Sequence, residues 1–201
     1  MKSLSLALVG VLLGVLLLAG YRFVFAPPEA PTHFHANFAI FVDGQRLDLS
    51  GDRYMEEVGA CGVSELVQPT ERVHLHNHDQ DVVHVHHGGV TWDHLLINLG
   101  LGLGDKYLAL DDGRVLTAGA GKSLKFVVNG QPQFSVRNVL VRSGDRLLIS
   151  YGAEPEAEVV RTQYPLVASS AEEFNHKPDP AGCSGATAPT LGERVRDAFI
   201  G

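Results

Sequence analysis

Hydrophobic positions change their spacing three times along the chain. From Leu4 to Ala26 they form an unbroken run, LSLALVGVLLGVLLLAGYRFVFA, with Arg22 as its one charge. Twenty-three helical residues reach about 35 Å, enough to cross a hydrocarbon core of about 30 Å. The run is longer than the apolar part of a secretory signal, and Pro27 and Pro28 stand where a cut after Ala26 would fall. The expectation is an uncleaved, single-pass membrane anchor over residues 1–26, followed by a Pro-rich spacer at 27–32. Lys2 and the amino terminus precede the run, so the positive-inside rule puts the N-terminus in the cytosol. The remainder is expected on the periplasmic side of a bacterial inner membrane.

Beyond the spacer the pattern shortens to strands. Phe38–Val42 runs into Asp43-Gly44 and then Gln45–Leu49, and Leu124–Val128 runs into Asn129-Gly130 and then Gln131–Val136. Asp-Gly and Asn-Gly between apolar runs predict hairpins, since a type I′ turn needs two positive φ angles. Val73–His87 predicts two strands around Asp79-Gln80-Asp81. Thr91 is placed to cap a helix at Trp92–Leu99, where Trp92, Leu95, Leu96 and Leu99 share one face. Gly100, Gly102 and Gly104 end it, and Arg146–Tyr151 closes the block as a strand.

After Gly152 the chain reads as a tail, 153–201. It starts with an acidic linker, Ala153–Glu158. Two capping boxes follow, Ser170–Glu173 and Thr190–Glu193, each opening a short helix. The fold class expected is α+β: a membrane helix, then a mostly antiparallel β domain at 33–152 with one main helix, then a partly helical tail.

Composition narrows the chemistry. Sixteen Lys+Arg against 23 Asp+Glu give a net charge of −7, the wrong sign for holding nucleic acid by its phosphates. Two cysteines, Cys61 and Cys183, are too few for a four-cysteine metal site and too far apart for a C-x-x-C redox pair. In an exported domain they can form a disulfide, or they are two separate buried thiols. Ten histidines are the strongest signal, and nine of them lie between His33 and His94.

Strand parity sorts these histidines. Val73, Leu75, Val83 and Val85 are odd, whereas His74, His76, His78, His84 and His86 are even. If the odd side chains face one core, the five even histidines share the opposite face. A register pairing His76 with His84 and His74 with His86 would let their imidazoles converge on one ion. His33 and His35 form another His-x-His pair, and His94 adds one at the start of the helix. The candidate ligands are therefore His33, His35, His74, His76, His78, His84, His86 and His94. Imidazole with almost no sulfur suits Zn, Cu(II) or Ni. Iron would call for a carboxylate as well, from Asp79, Asp81 or Asp93. A solvated polar face of stacked imidazoles is the alternative. His87 has the wrong parity, and His176 reads as an ordinary surface residue.

The order GVTWDHLLINLG, LKFVVNGQPQF and VRSGDRLLISYG across residues 88–152 resembles the β-grasp modules of the soluble-ligand-binding and transcobalamin C-terminal type. That resemblance implies a helix after Gly-Val-Thr, a Val-Asn-Gly hairpin and a Gly-Asp-Arg turn into a closing strand, and it carries no binding residues. The His-rich hairpins are similar to an uncharacterised exported bacterial family, which implies no activity.

Three functions fit these features. One is an accessory or structural subunit of a larger energy-converting membrane complex, respiratory or photosynthetic. Its anchor would pack among other membrane-protein subunits and lipid, through the close approach that Gly10-x-x-x-Gly14 permits. The second is a stand-alone exported protein that binds a transition metal. The third is an extracytoplasmic enzyme using a histidine-bound metal. No G-x-S-x-G, H-E-x-x-H, P-loop or dinucleotide motif is present to support catalysis.

Overall fold

The computed structural model describes residues 2–25, 32–56, 69–177 and 190–200. Its helices are α1 (Lys2–Phe25), α2 (Pro69–Arg72), α3 (Trp92–Asn98), α4 (Glu156–Thr162), α5 (Ala171–Asn175) and α6 (Leu191–Ile200). Its strands are β1 (Phe34–Val42), β2 (Gln45–Arg46), β3 (Val73–His74), β4 (Val82–Val85), β5 (Gly102–Leu103), β6 (Tyr107–Ala109) and β7 (Val115–Thr117). β8 (Ser123–Val128), β9 (Gln131–Gln133) and β10 (Arg146–Gly152) complete the set. The class is α+β, as expected. Two compact units divide the chain: Met1–Pro31 with Gly185–Gly201, and Thr32–Ser184. The spacer residues 27–31 and both Cys61 and Cys183 lie outside the described residues, so the expected disulfide falls there too.

In the first unit α1 carries one apolar stretch, Ala7–Phe25, long enough to cross a membrane. Its apolar side chains are exposed along most of its length, except Ala19.

The second unit is built on a seven-stranded sheet in the order β3-β4-β1-β10-β8-β9, with β2 also paired to β1. Only β1 and β10 run parallel, side by side in the middle; every other pairing is antiparallel. Both expected I′ turns form. Asp43 and Gly44 take φ of 50° and 75°, and Asn129 and Gly130 take 52° and 78°. The return strands are shorter than expected, because β2 ends at Arg46 and β9 at Gln133. A small three-stranded sheet, β5-β6-β7, follows α3.

The sheet is covered on both faces. On one, Ala36, Phe38 and Ile40 of β1 join Val83, Val85, Leu147 and Ile149 beneath Trp92, Leu95 and Leu96 of α3. Thr91 caps α3 by accepting from the His94 backbone N–H. On the other face Ala39, Phe41, Val127 and Leu148 pack against Val159 of α4 and Val167. The acidic stretch expected as a linker is therefore partly wrong. Pro155, at φ −61°, starts α4 directly, and Glu156 and Glu158 sit at its N-terminus, where the helix dipole favours them. Arg146 then holds the following turn, through bonds to the carbonyls of Val167 and Ala168 and by lying over the Tyr164 ring. Ser170 precedes α5 without capping it through its side chain. Its hydroxyl instead accepts from Asn37 Nδ2 at 3.3 Å.

Candidate metal centre

Because β1 places Phe34, Ala36 and Phe38 in the main core, its odd residues His35 and Asn37 face the other way, and so does His33 just before it. β4 and β3 place Val83, Val85, Val73 and Leu75 in the same core, which sends His84, His86, His74 and His76 to that second face. Six imidazoles from three adjacent strands thus meet under α5. His35 lies opposite His84 across the β1–β4 pair, and His74 lies opposite His84 across β3–β4. The register considered from sequence, with His76 opposite His84, is displaced by two residues. His76 nevertheless reaches the cluster, with its Nε2 2.9 Å from His84 Nδ1.

This face is not solvated. His35, His74, His76 and His84 are all at most 4% exposed, and Phe174 of α5 lies tilted against the ring of His35 and edge-on to that of His84. His33 and His86, at the rim, are half-buried and stacked at 4.7 Å. His33, His35 and His84 each offer a ligand nitrogen, and those three atoms lie within 4.8 Å of one another. A group of this kind can hold a metal ion.

Two hydrogen bonds define proton positions in the cluster. Asn175 Nδ2 lies 3.2 Å from a Glu172 carboxylate oxygen, which can only accept, so the amide oxygen of Asn175 points the other way. That oxygen accepts from both the backbone N–H of His35, at 2.8 Å, and His35 Nδ1–H, at 2.9 Å. Neutral His35 therefore presents Nε2 as a lone pair, 3.0 Å from His84 Nδ1. His74 repeats the arrangement: its Nδ1–H donates to the Thr70 carbonyl at 2.7 Å, which leaves Nε2 basic. Anchoring the outer ring nitrogen to an oxygen while the inner one stays basic is what metal-ligating histidines do. Two nitrogens each about 2.05 Å from a tetrahedral ion stand about 3.3 Å apart, a few tenths of an ångström beyond the His35–His84 contact.

Electrostatics keep His84 uncharged. Burial holds the His84 pKa far below its ordinary value, and the neighbouring His76, His35, His74 and His86 push it further down. His84 is thus neutral at physiological pH, the state in which an imidazole can ligate a cation.

Two of the eight candidate ligands lie elsewhere. Asn77 and His78 both adopt positive φ, 58° and 57°, which breaks the strand alternation after His76. His78 turns outward, to the Ser50 carbonyl and the Asp52 carboxylate. His94 belongs to the cap of α3, where its Nδ1 accepts from the Thr91 N–H at 3.1 Å. The three aspartates held in reserve for iron are engaged elsewhere: Asp79 closes the turn to Asp81 N–H, Asp81 pairs with Arg46, and Asp93 faces Arg137. His176 is exposed and pairs with Glu172. Sequence reasoning missed Asn37, Phe174 and Asn175. Asn37 is fully buried, donates to the Asp81 carbonyl and accepts from the Ala171 N–H, so it ties β4 and α5 to β1. His35 and Asn175 are 140 positions apart, and no short motif could have linked them.

Compared with protein-family models, with curated proteins and with solved structures, the chain matches none.

Proposed function

We propose that this chain is a membrane-anchored, extracytoplasmic protein that binds a transition metal through imidazole alone, with His35 and His84 at the centre of the site. The observation that carries this is the convergence of His33, His35 and His84, whose ligand nitrogens lie within 4.8 Å of one another, with His35 anchored to Asn175 through its other ring nitrogen. His33 and His76 supply the remaining donors within reach. Borderline divalent ions, Zn, Cu or Ni, suit such a site, and its burial under α5 suits retention or handover of an ion better than turnover of a substrate. The test is the metal content of the full-length chain purified in mild detergent, with chelator competition for Zn, Cu and Ni. The wild type should carry a stoichiometric ion, and a His35→Ala/His84→Ala variant should bind at least 100-fold more weakly. Wild-type protein that arrives metal-free and takes up none of the three ions at micromolar concentration contradicts the proposal.

Membrane anchoring rests on the length and apolarity of α1. A role as accessory subunit of a larger energy-converting complex is a second reading. It is favoured by the open space over Gly10 and Gly14 and by the exposed side chains around them, where another helix could close. Native electrophoresis after gentle extraction separates the two, since migration as a free chain removes the subunit reading. The β-grasp likeness stands as a proposal too, supported by α3 after Gly-Val-Thr, the Asn129-Gly130 turn and β10 after Gly144-Asp145.

A further inference from the structure

The unit that holds α1 also holds α6, and the two helices pack together. Small residues meet in this packing: Ala19 and Ala198 are at most 7% exposed, and Gly20 lies beside them in a groove also lined by Leu16, Phe23, Val195 and Phe199. Small side chains permit this close approach between helices. At the far end of α1, Arg194 donates to the Phe23 carbonyl at 3.3 Å and lies over the Phe23 ring at 4.5 Å. That carbonyl belongs to the last turn of α1, where no intrahelical donor is available.

Packing on α1 leaves one face of α6 uncovered. Leu191, Val195 and Phe199, at i, i+4 and i+8, are 70%, 44% and 52% exposed. A ten-residue helix is marginal by itself and needs its apolar face buried. The surface it continues is that of α1, where Leu16, Leu17, Val24 and Phe25 are each at least 58% exposed. Leu16 lies about 13 Å of helix rise from Phe25, within one leaflet of a spanning α1. Arg194 stays near the end of the span, where a guanidinium can reach headgroups and water.

We infer that α6 is a second membrane contact: it lies against the outer end of α1 with Leu191, Val195 and Phe199 in the acyl region of the outer leaflet. Its occupant is lipid, because the uncovered face continues a surface whose composition already suits lipid. This inference rests on the proposal that α1 spans the membrane, and the experiment separates the two. The full-length chain is reconstituted into phosphatidylcholine vesicles with and without dibrominated acyl chains. Wild type, whose one tryptophan is the fully buried Trp92, is compared with Phe199→Trp and Leu191→Trp, and flotation is scored in parallel. The expected result is that all three proteins float with the vesicles. Emission from both variants should fall at least twofold more in brominated lipid than that of wild type. Floating protein with wild-type quenching in both variants overturns the lipid contact while leaving the anchor intact. Protein that fails to float overturns the anchor and the lipid contact together.

Discussion

His35 shows how a single side chain is prepared to hold a metal. An unrestrained neutral imidazole carries its proton on either nitrogen, and only one tautomer aims a lone pair at a given point. Asn175 selects the tautomer for His35, and Glu172 fixes the direction of the Asn175 amide. Asn175→Ala should therefore weaken metal binding about 10- to 100-fold, as loss of a ligand's outer partner usually does. Asn175→Asp, which keeps an acceptor at the same place, should restore most of it; chelator competition reads both. His84 carries a pH consequence. Its folded pKa lies below the unfolded value of about 6.5, so below that pH the unfolded chain takes up a proton that the folded chain refuses. The contribution to stability is full above pH 6.5 and declines as pH falls from there toward the depressed folded value. Urea unfolding of the metal-free protein should give a lower midpoint at pH 5 than at pH 7.5. In His84→Gln that pH dependence should be smaller.

At the level of elements, the site depends on β1 serving both faces of the sheet. Its core-facing residues hold α3, and the opposite ones hold the histidines and, through Asn37, α5. Trp92 fills the core beneath the site with no exposed surface, so Trp92→Ala should cost about 3–5 kcal/mol in equilibrium unfolding. Gly130 takes φ 78°, and Gly130→Val should destabilise the β8–β9 hairpin while leaving the distant histidines and the bound-metal spectrum unchanged. Period-two alternation made the facing of β3 and β4 legible, and with it that of His74, His76, His84 and His86, whereas His33 and His35 stood out only as a His-x-His pair. It failed at His78 because two consecutive left-handed residues end the strand, and nothing in the letters His-Asn-His announces that. It failed at His94 because a histidine near a helix start serves a cap as readily as a metal. The role of α4 and α5 was illegible for another reason: an acidic, Pro-containing segment looks solvated until the sheet face it covers is known.

Across the whole molecule, the apolar helix α1 and the histidine site belong to two compact units, so each can be tested by its own variants. Deleting residues 191–200 should leave metal stoichiometry unchanged, while variants at His35 or His84 should leave vesicle flotation unchanged. The measurement that bears most directly on the central claim is X-ray absorption at the edge of whichever metal co-purifies with the full-length chain. An imidazole site predicts a nitrogen shell at about 2.0–2.1 Å with the outer-shell scattering of histidine rings and no sulfur near 2.3 Å. A sulfur shell, which would place the ion on Cys61 or Cys183, or the absence of any bound metal, would contradict it.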